Sequence, residues 1–335
     1  AMSKITIEDI SKHTGLSRGT VSRALNDRPD ISQQTKERVL DACRQLNYVP
    51  SHAARSLATG RRYAVAVLVE DLRAGLAGEF LRGVIVRARS ERYAVHVSEL
   101  GHEPESALEH LRTLVNERVD GVLIGTPLRA DLAQRIAAQM NERPLVAAGR
   151  IPGAACDVVS PDYMEVGRLV ARHILRGDSR RVLYVDQAGS PTAALRRAGF
   201  QEVCRASGIE PAALTVEVPP RESGATNRLD AVASRLGEVT AIAASDDCLA
   251  VELMMLCASH GRMAGRDIAV IGQGNESCGA WITPSLTTVD YGAEEIGQRA
   301  MDIALQRVTK ARQDAPQEIL VAPALVVRES TRSLT

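Results

Sequence analysis

The sequence predicts an α/β protein of two lobes, each a doubly wound parallel sheet, preceded by a small all-α helix-turn-helix domain. Three observations predict it. Residues 6–47 hold three short amphipathic helical patterns with capping residues at their starts. From Arg61 onward, short apolar runs alternate with amphipathic helical stretches. Charge divides between the two regions: residues 1–62 carry eleven Lys/Arg against six Asp/Glu, a net of +5, and the remainder carries thirty against thirty-five, a net of −5, in a chain of 335 residues that is neutral overall. Such asymmetry is expected when one end meets phosphates and the other does not.

Thr6 opens Thr-x-x-Asp, in which the hydroxyl and Asp9 can satisfy exposed N–H groups, so the first helix should start near Ile7. Gly15 breaks that pattern, because glycine tolerates the left-handed conformation of a tight inter-helix turn, and Ser17 supplies the next N-cap. At about 100° per residue, Val21, Ala24 and Leu25 share one side of the second helix, while Gly19, Ser22, Arg23 and Asn26 share the other. The first set packs and the second meets a partner. A third helix runs from Ser32 to about Asn47, with Val39, Cys43 and Leu46 closing a small core. The run from Ser17 to Asn26 thus has the form of a DNA recognition helix. A generic helical domain with an arginine-bearing face fits the same pattern, and the charge split argues for nucleic acid. Pro50 can start a further helix over 51–57, but seven residues are too few to hold one in water, so this segment should fold only on DNA.

In the remainder, residues 64–69, 94–97, 121–124 and 145–148 read as buried strands, with helical stretches such as 79–89 and 107–116 between them. The series repeats with strands at 182–185, 214–218, 240–244 and 268–271. Strand and helix in alternation mean parallel sheets covered on both faces. About 270 residues of this exceed one comfortable core, which is why two lobes are predicted.

The residues Thr6-Ile7-Glu8-Asp9-Ile10, Gly15-Leu16-Ser17, Thr20-Val21-Ser22-Arg23, Asn26, Asn47-Tyr48 with Pro50, and Ala53-Ala54-Arg55-Ser56-Leu57 resemble the lactose-repressor/galactose-repressor (LacI/GalR) family of bacterial regulators, and the resemblance continues over essentially the whole chain. It implies a head at 2–49, a hinge helix and linker at 50–61, and a core at 62–335 with the type I periplasmic-binding-protein fold. The chain should cross between lobes near Pro161, Tyr291 and Ala322, giving a first lobe of about 62–161 plus 291–321 and a second of about 162–290 plus 322–335. Arg18 and Gly19 stand where the family faces base edges. Gly19 has no side chain to read with, whereas Arg18 can donate a bidentate pair to guanine, a contact worth about 1–3 kcal/mol of discrimination. Ser22 and Arg23 match positions that contact bases or phosphates, and Thr20 and Asn26 match contacts that fix register on the backbone. Thr6, Ser17, Tyr48, Ser51, Ala54 and Arg55 complete the implied DNA-binding set, together with Leu57, which matches the leucine that wedges into the central minor groove. The implied partner is a palindromic double-stranded operator, bound by a homodimer through two major grooves, with residues 78–89 a candidate dimer contact. The tail after Val327 lacks the leucine heptads of a coiled-coil tetramer.

An interlobe cleft at strand carboxyl ends should hold a small-molecule effector and close on it by hinge motion. The implied effector-binding residues are Leu76, Arg150, Thr192, Arg196, Asp246, Gln273 and Asn275. Two loops depart from the family pattern. Ala74-Gly75-Leu76-Ala77 stands where an Asn-Pro-aromatic-aromatic run is usual, and Gln273-Gly274-Asn275 replaces aromatic-Asp-Asp, removing a carboxylate that often binds ligand hydroxyls. An arginine kept while an aspartate is lost tilts the cleft from a neutral sugar toward a sugar acid or sugar phosphate. Alternatively Arg196 pairs with Asp246 or another carboxylate, and the cleft is empty or filled by neighbours such as Trp281.

Enzyme classes fit poorly. There is no Gly-x-Ser-x-Gly elbow, no Gly-x-x-x-x-Gly-Lys and no His-x-x-x-His pair. Asp246 and Asp247 should point apart, one into the cleft and one capping a helix. Six cysteines show no Cys-x-x-Cys spacing, which argues against zinc and a disulfide framework, and free thiols suit a reducing cytoplasm. No cofactor is implied. No signal peptide or long apolar run is seen, which separates the chain from secreted sugar-binding proteins and from membrane proteins. The expected location is the bacterial cytoplasm, at the nucleoid when bound to DNA. A nonspecific architectural DNA protein is a third class, distinguished by its indifference to a palindrome.

Overall fold

A computed structural model describes residues 5–25, 28–48, 56, 59–72, 75–100, 104–117, 119–140, 143–151, 153–176, 181–210, 215–221 and 224–334. The chain forms two compact units, Ala1–Arg62 and Tyr63–Thr335. The expectations for Asn26, Ser51, Ala54, Arg55 and Leu57 lie outside the described residues.

The first unit holds α1 (Ile7–Thr14), α2 (Arg18–Leu25) and α3 (Gln33–Gln45). Each starts where a side chain satisfies an orphan N–H. The Thr6 N–H donates to Asp9 Oδ2 at 2.8 Å, and the Asp9 N–H returns to Thr6 Oγ1 at 3.4 Å. Ser17 Oγ accepts from the Thr20 N–H at 3.1 Å, and Ser32 Oγ accepts from the Thr35 N–H at 3.3 Å. Gly15 ends α1 with φ +67°. Ile10, Val21 and Val39 are fully buried at the centre with Ala24, Ala42, Cys43 and Tyr48 around them. At about 1.5–3 kcal/mol per large apolar side chain, that centre supplies most of what a unit this small can gain.

The second unit begins with β1 (Ala64–Val69), α4 (Gly75–Ser90), β2 (Ala94–Glu99), α5 (Pro104–Glu117), β3 (Gly121–Ile124), α6 (Ala130–Ala137), β4 (Leu145–Ala147) and β5 (Asp157–Pro161). A second series follows: α7 (Tyr163–Ile174), β6 (Val182–Gln187), α8 (Ala193–Ala206), β7 (Thr215–Val218), α9 (Asp230–Ala233), β8 (Ala241–Ala244), α10 (Asp247–Ser259), β9 (Ala269–Ile271), α11 (Cys278–Trp281) and β10 (Thr288–Asp290). The chain then runs through α12 (Ala293–Val308), β11 (Glu318–Val321) and β12 (Ala324–Val326). One parallel sheet has the order β11-β5-β4-β3-β1-β2, and the other β7-β6-β8-β9, while β10 pairs antiparallel with β12. The chain therefore leaves the first sheet after Pro161, comes back to it with β11, and pairs again with β10 through β12.

Both sheets are covered on both faces, as alternating strands and helices require. In β1, Val65, Val67 and Val69 enter one core with α4 and α12, while Ala64, Ala66 and Leu68 enter another with α5 and α6. In β6, Leu183 and Val185 face α10, while Val182 and Tyr184 face α7 and α8. Helix pairs cross closely at glycines: a Cβ on Gly83 of α4 would overlap the Glu294 carbonyl, and one on Gly167 of α7 would overlap the Arg196 carbonyl. Among the described residues, no helix is long and apolar enough to cross a membrane.

Candidate functional site

Helix α2 presents its polar face because its other face is committed to the core. Val21 and Ala24 are buried, whereas Arg18, Gly19 and Arg23 are exposed and Thr20 and Ser22 are half-buried. Among the described residues, the two arginines have weak carboxylate partners, and Arg23 Nε also donates to the Gly19 carbonyl at 3.3 Å. Arg18 Nη1 lies 3.9 Å from Glu8 Oε2, and Arg23 Nη1 lies 3.3 Å from Asp30 Oδ2, with all four side chains more than half exposed. Exposed pairs of this kind are worth about 0–1 kcal/mol, so either guanidinium can exchange its carboxylate for a phosphate or a base edge at little cost. Gly19 has no steric duty in the fold: a Cβ there would meet nothing nearer than Ser17 Oγ at 3.7 Å. Thr6 and Ser17 are exposed but spend their hydroxyls on caps. Tyr48 is buried in the helical core.

In the second unit, the carboxyl ends of β6, β8, β9 and β10 gather most of the predicted effector residues around Arg196. This arginine is 5% exposed. Its Nη1 donates to the Ser245 carbonyl and, at 3.2 Å, to the Tyr291 hydroxyl, and its Nη2 donates to Ser190 Oγ at 3.0 Å. Behind it lies fully buried Asp186, whose Oδ1 is 3.8 Å from Arg196 Nη2 and whose Oδ2 is 3.4 Å from Arg197 Nη2. Burial works against the charge of Arg196, yet the Tyr291, Tyr184 and Asp186 oxygens hold its proton affinity above the ordinary arginine value. Burial likewise pushes the Asp186 carboxyl up, against the pull of both arginines. Gln273 is buried beside them, donating to the Ala244 carbonyl at 2.8 Å, and among the described residues its own oxygen has no hydrogen-bond partner. Thr192 is half-buried, 3.5 Å from Ser190 Oγ. Leu76 reaches from α4 into the cluster that contains Tyr163 and Tyr291.

Several expectations need correction. Arg196 pairs with a carboxylate, as the alternative reading allows, but the carboxylate is that of Asp186 and not of Asp246. Asp246 is itself the cap of α10, accepting from the Leu249 N–H at 2.7 Å, and Asp247 is the buried member, accepting from Thr288 Oγ1 at 2.5 Å and the Glu276 N–H at 2.7 Å. Burial pushes the Asp247 carboxyl up to about 7. Asn275 donates to Asp290 Oδ2 at 3.0 Å and accepts from Arg328 at 2.8 Å, so both ends of its amide are engaged. Arg150 does not join the cluster: it is exposed and pairs with Glu318 on β11. Trp281 is 81% exposed and fills nothing. A cavity of about 720 Å³ opens at the amino ends of β4 and β5, between Met140, Arg143, Leu145, Cys156 and Arg307, and no predicted residue lines it. Its Arg307 is already held by Asp157.

Asp186, Ser190, Tyr163 and Tyr291 were not among the predicted residues. Asp186 lies near the carboxyl end of buried β6 and Ser190 just past it, and a carboxyl-end rule applied to every strand would flag them. Tyr163 and Tyr291 also follow strands, β5 and β10, but those strands are not among the predicted ones.

A basic three-helix head with a solvent-facing recognition helix, joined to a two-sheet parallel α/β core, defines a DNA-binding regulator with a ligand-binding type of body. Residues 6–51 match the family model described as bacterial regulatory proteins, lacI family, and residues 170–331 match that of the periplasmic binding protein-like domain. The chain belongs to the lacI family of transcriptional regulators. It is 25% identical to the HTH-type transcriptional repressor PurR of Haemophilus influenzae (strain PittEE) over 98% of this chain and 99% of that one. It is 28% identical to the HTH-type transcriptional regulator CelR of Thermobifida fusca, with coverage of 97% and 98%. The solved lac repressor dimer bound to operator and the anti-inducer ONPF shares the fold, with a TM-score of 0.78 at 23% identity and coverage of 98% and 99%. These relatives are repressors or regulators, not enzymes.

Proposed function

We propose that this chain is a ligand-responsive repressor that binds a palindromic operator as a homodimer. Each α2 enters a major groove, with Arg18 reading a guanine and Ser22 and Arg23 contacting bases or phosphates, and each 50–61 segment enters the central minor groove through Leu57. The head is 2–49 and the two-lobed core 62–335. The observation that carries the reading is the α2 face itself: two arginines with exchangeable partners flank a glycine whose missing side chain the fold does not require. The solved lac repressor relative is bound to operator, which supports the same mode here. The site of action is the bacterial cytoplasm.

The effector is a polar small molecule of the sugar class, held between the lobes near Thr192, Arg196, Asp246 and Gln273. Support comes from relatives solved with cellobiose, ribose and D-xylulofuranose. The tilt toward an anionic effector loses its footing, because Arg196 is neutralised by Asp186 and both its terminal nitrogens are engaged within the lobe. Exposed apolar side chains on α4 (Ile85, Val86), β2 (Val97), α10 (Met255) and α11 (Trp281) support a protein partner for the core, and a second copy of the chain fits a palindrome best.

Selection from random duplex by the full-length chain tests the DNA reading. A palindrome should be enriched, and the Arg18→Ala variant should lose one base preference by about 1–3 kcal/mol. Enrichment of no sequence, or a chain lacking 1–60 that binds as well, contradicts it. Thermal shift with neutral sugars, sugar acids and sugar phosphates tests the effector class, since a ligand of the native state raises the melting point.

A further inference from the structure

We propose that Glu276 is a built-in interlobe latch, seated by the second lobe on the first turn of α4 in the first lobe. The two loops that depart from the family pattern meet each other here. A Cβ on Gly75 would lie 3.0 Å from Glu276 Cγ and 3.3 Å from its carboxyl carbon, so glycine at 75 is what admits the glutamate so closely. On the other side, Gly274 has φ +128°, a conformation that side-chain-bearing residues rarely adopt, and a Cβ there would face Glu276 Cγ at 3.8 Å and Leu76 Cδ2 at 4.0 Å. Leu76 packs into the second lobe's cluster with Tyr163 and Tyr291. The positions where an aromatic wall and an acidic pair are usual are therefore fitted to one another.

The latch is rigid on its own lobe. Its N–H is held by buried Asp247 at 2.7 Å, and its carboxylate accepts from Cys248 Sγ at 3.3 Å. Asn275, one residue earlier, is fixed by Thr288, Asp290 and Arg328. The Glu276 carboxylate lies by the amino end of a sixteen-residue helix, where a negative charge meets the positive end of the helix dipole. Glu276 thus bridges the two lobes, and an effector acts by displacing it from α4. The mechanism rests on the cleft being the regulatory site, as proposed above.

Amide hydrogen exchange of the full-length, ligand-free chain tests it. Glu276→Ala should speed exchange in residues 75–82 by about tenfold and leave strand 64–69 unchanged. Unchanged rates in 75–82 overturn the latch. If Glu276→Ala loses protection throughout, Glu276→Gln decides by the same comparison: local acceleration supports the latch, and no local excess overturns it. Because no DNA is present, failure of the operator reading would appear only in the selection experiment, not here.

Discussion

Arg196 illustrates how a residue visible in the sequence can have a different duty in the fold. Its position was legible, because the run around it keeps the family pattern, but its partner was not, since Asp186 is ten residues away along the chain and meets it only through strand packing. Replacing it with alanine is therefore not a clean test of effector response: the change would leave fully buried Asp186 with Arg197 alone. Breaking a buried pair costs about 3–5 kcal/mol, and the remaining arginine sets the expectation for Arg196→Ala near about 3 kcal/mol, read by urea denaturation. Asp247 makes a second prediction. Its folded pKa of about 7 exceeds the ordinary 3.8, so its contribution to stability is present below pH 3.8 and is lost as pH rises toward 7. Buried His173 acts oppositely: its pKa is lowered by burial and by Arg176, so its contribution is present above pH 6.5 and is lost as pH falls below that. Asp246 and Glu276, which face Asp247, add to its upward shift. Asp247→Asn should remove the first slope, at most about 1.4 kcal/mol per pH unit, so that the variant gains stability relative to wild type as pH rises from 4 to 7. Parallel melting-temperature profiles for the two proteins would refute the assignment.

Helix crossings set the limits at the scale of elements. Gly83 in α4 and Gly297 in α12 each sit against the other helix's backbone, as Gly167 in α7 and Gly199 in α8 do in the second lobe. Alanine at any of them must push two helices apart, and overpacking costs about 1–3 kcal/mol. Gly78, in the same α4, has nothing within 4 Å of its would-be Cβ. Gly78→Ala should therefore stabilise by up to about 1 kcal/mol from helix propensity, while Gly83→Ala destabilises, both read from urea midpoints. If the two variants shift in the same direction, the close approach is not what fixes Gly83. The elements themselves were unevenly legible. Buried runs such as Ala64–Val69 and Gly121–Ile124 match their predicted bounds, because continuous apolar residues with turn signals on either side leave little choice. Strands β5, β10, β11 and β12 were not foreseen. Asp157–Pro161 begins with an acid that binds Arg307 and ends in proline, leaving only Val158 and Val159 as an apolar pair, and Glu318–Val321 is an edge strand whose short apolar run, Ile319-Leu320-Val321, is partly exposed. The capped helices of the head were foreseen to within about two residues, since Thr6, Ser17 and Ser32 announce their own starts.

The assembly decides whether these parts act together. A single head offers one recognition helix and a handful of exchangeable arginines, which yields weak and salt-sensitive binding, whereas two heads on one palindrome add their contacts and gain from effective concentration. The proposed homodimer therefore has to form at concentrations where the operator is bound. Met255, 68% exposed on α10, and Trp281, 81% exposed on α11, are the most exposed large apolar side chains of the described core, and Ile85 and Val86 extend the apolar set to α4. Burying a tryptophan and a methionine at a subunit contact contributes about 1.5–3 kcal/mol each, and aromatic anchors dominate such interfaces. Met255→Glu with Trp281→Ser should convert a dimer to a monomer at micromolar concentration, by sedimentation velocity, without lowering the melting temperature of the core, since neither side chain is buried in the chain by itself. Operator affinity should fall by at least about a hundredfold, equivalent to about 2.7 kcal/mol, while nonspecific duplex binding at matched salt changes far less. A double variant that still sediments as a dimer would move the contact elsewhere on the core. One that is monomeric yet retains full operator affinity would remove the need for paired heads and, with it, the palindrome.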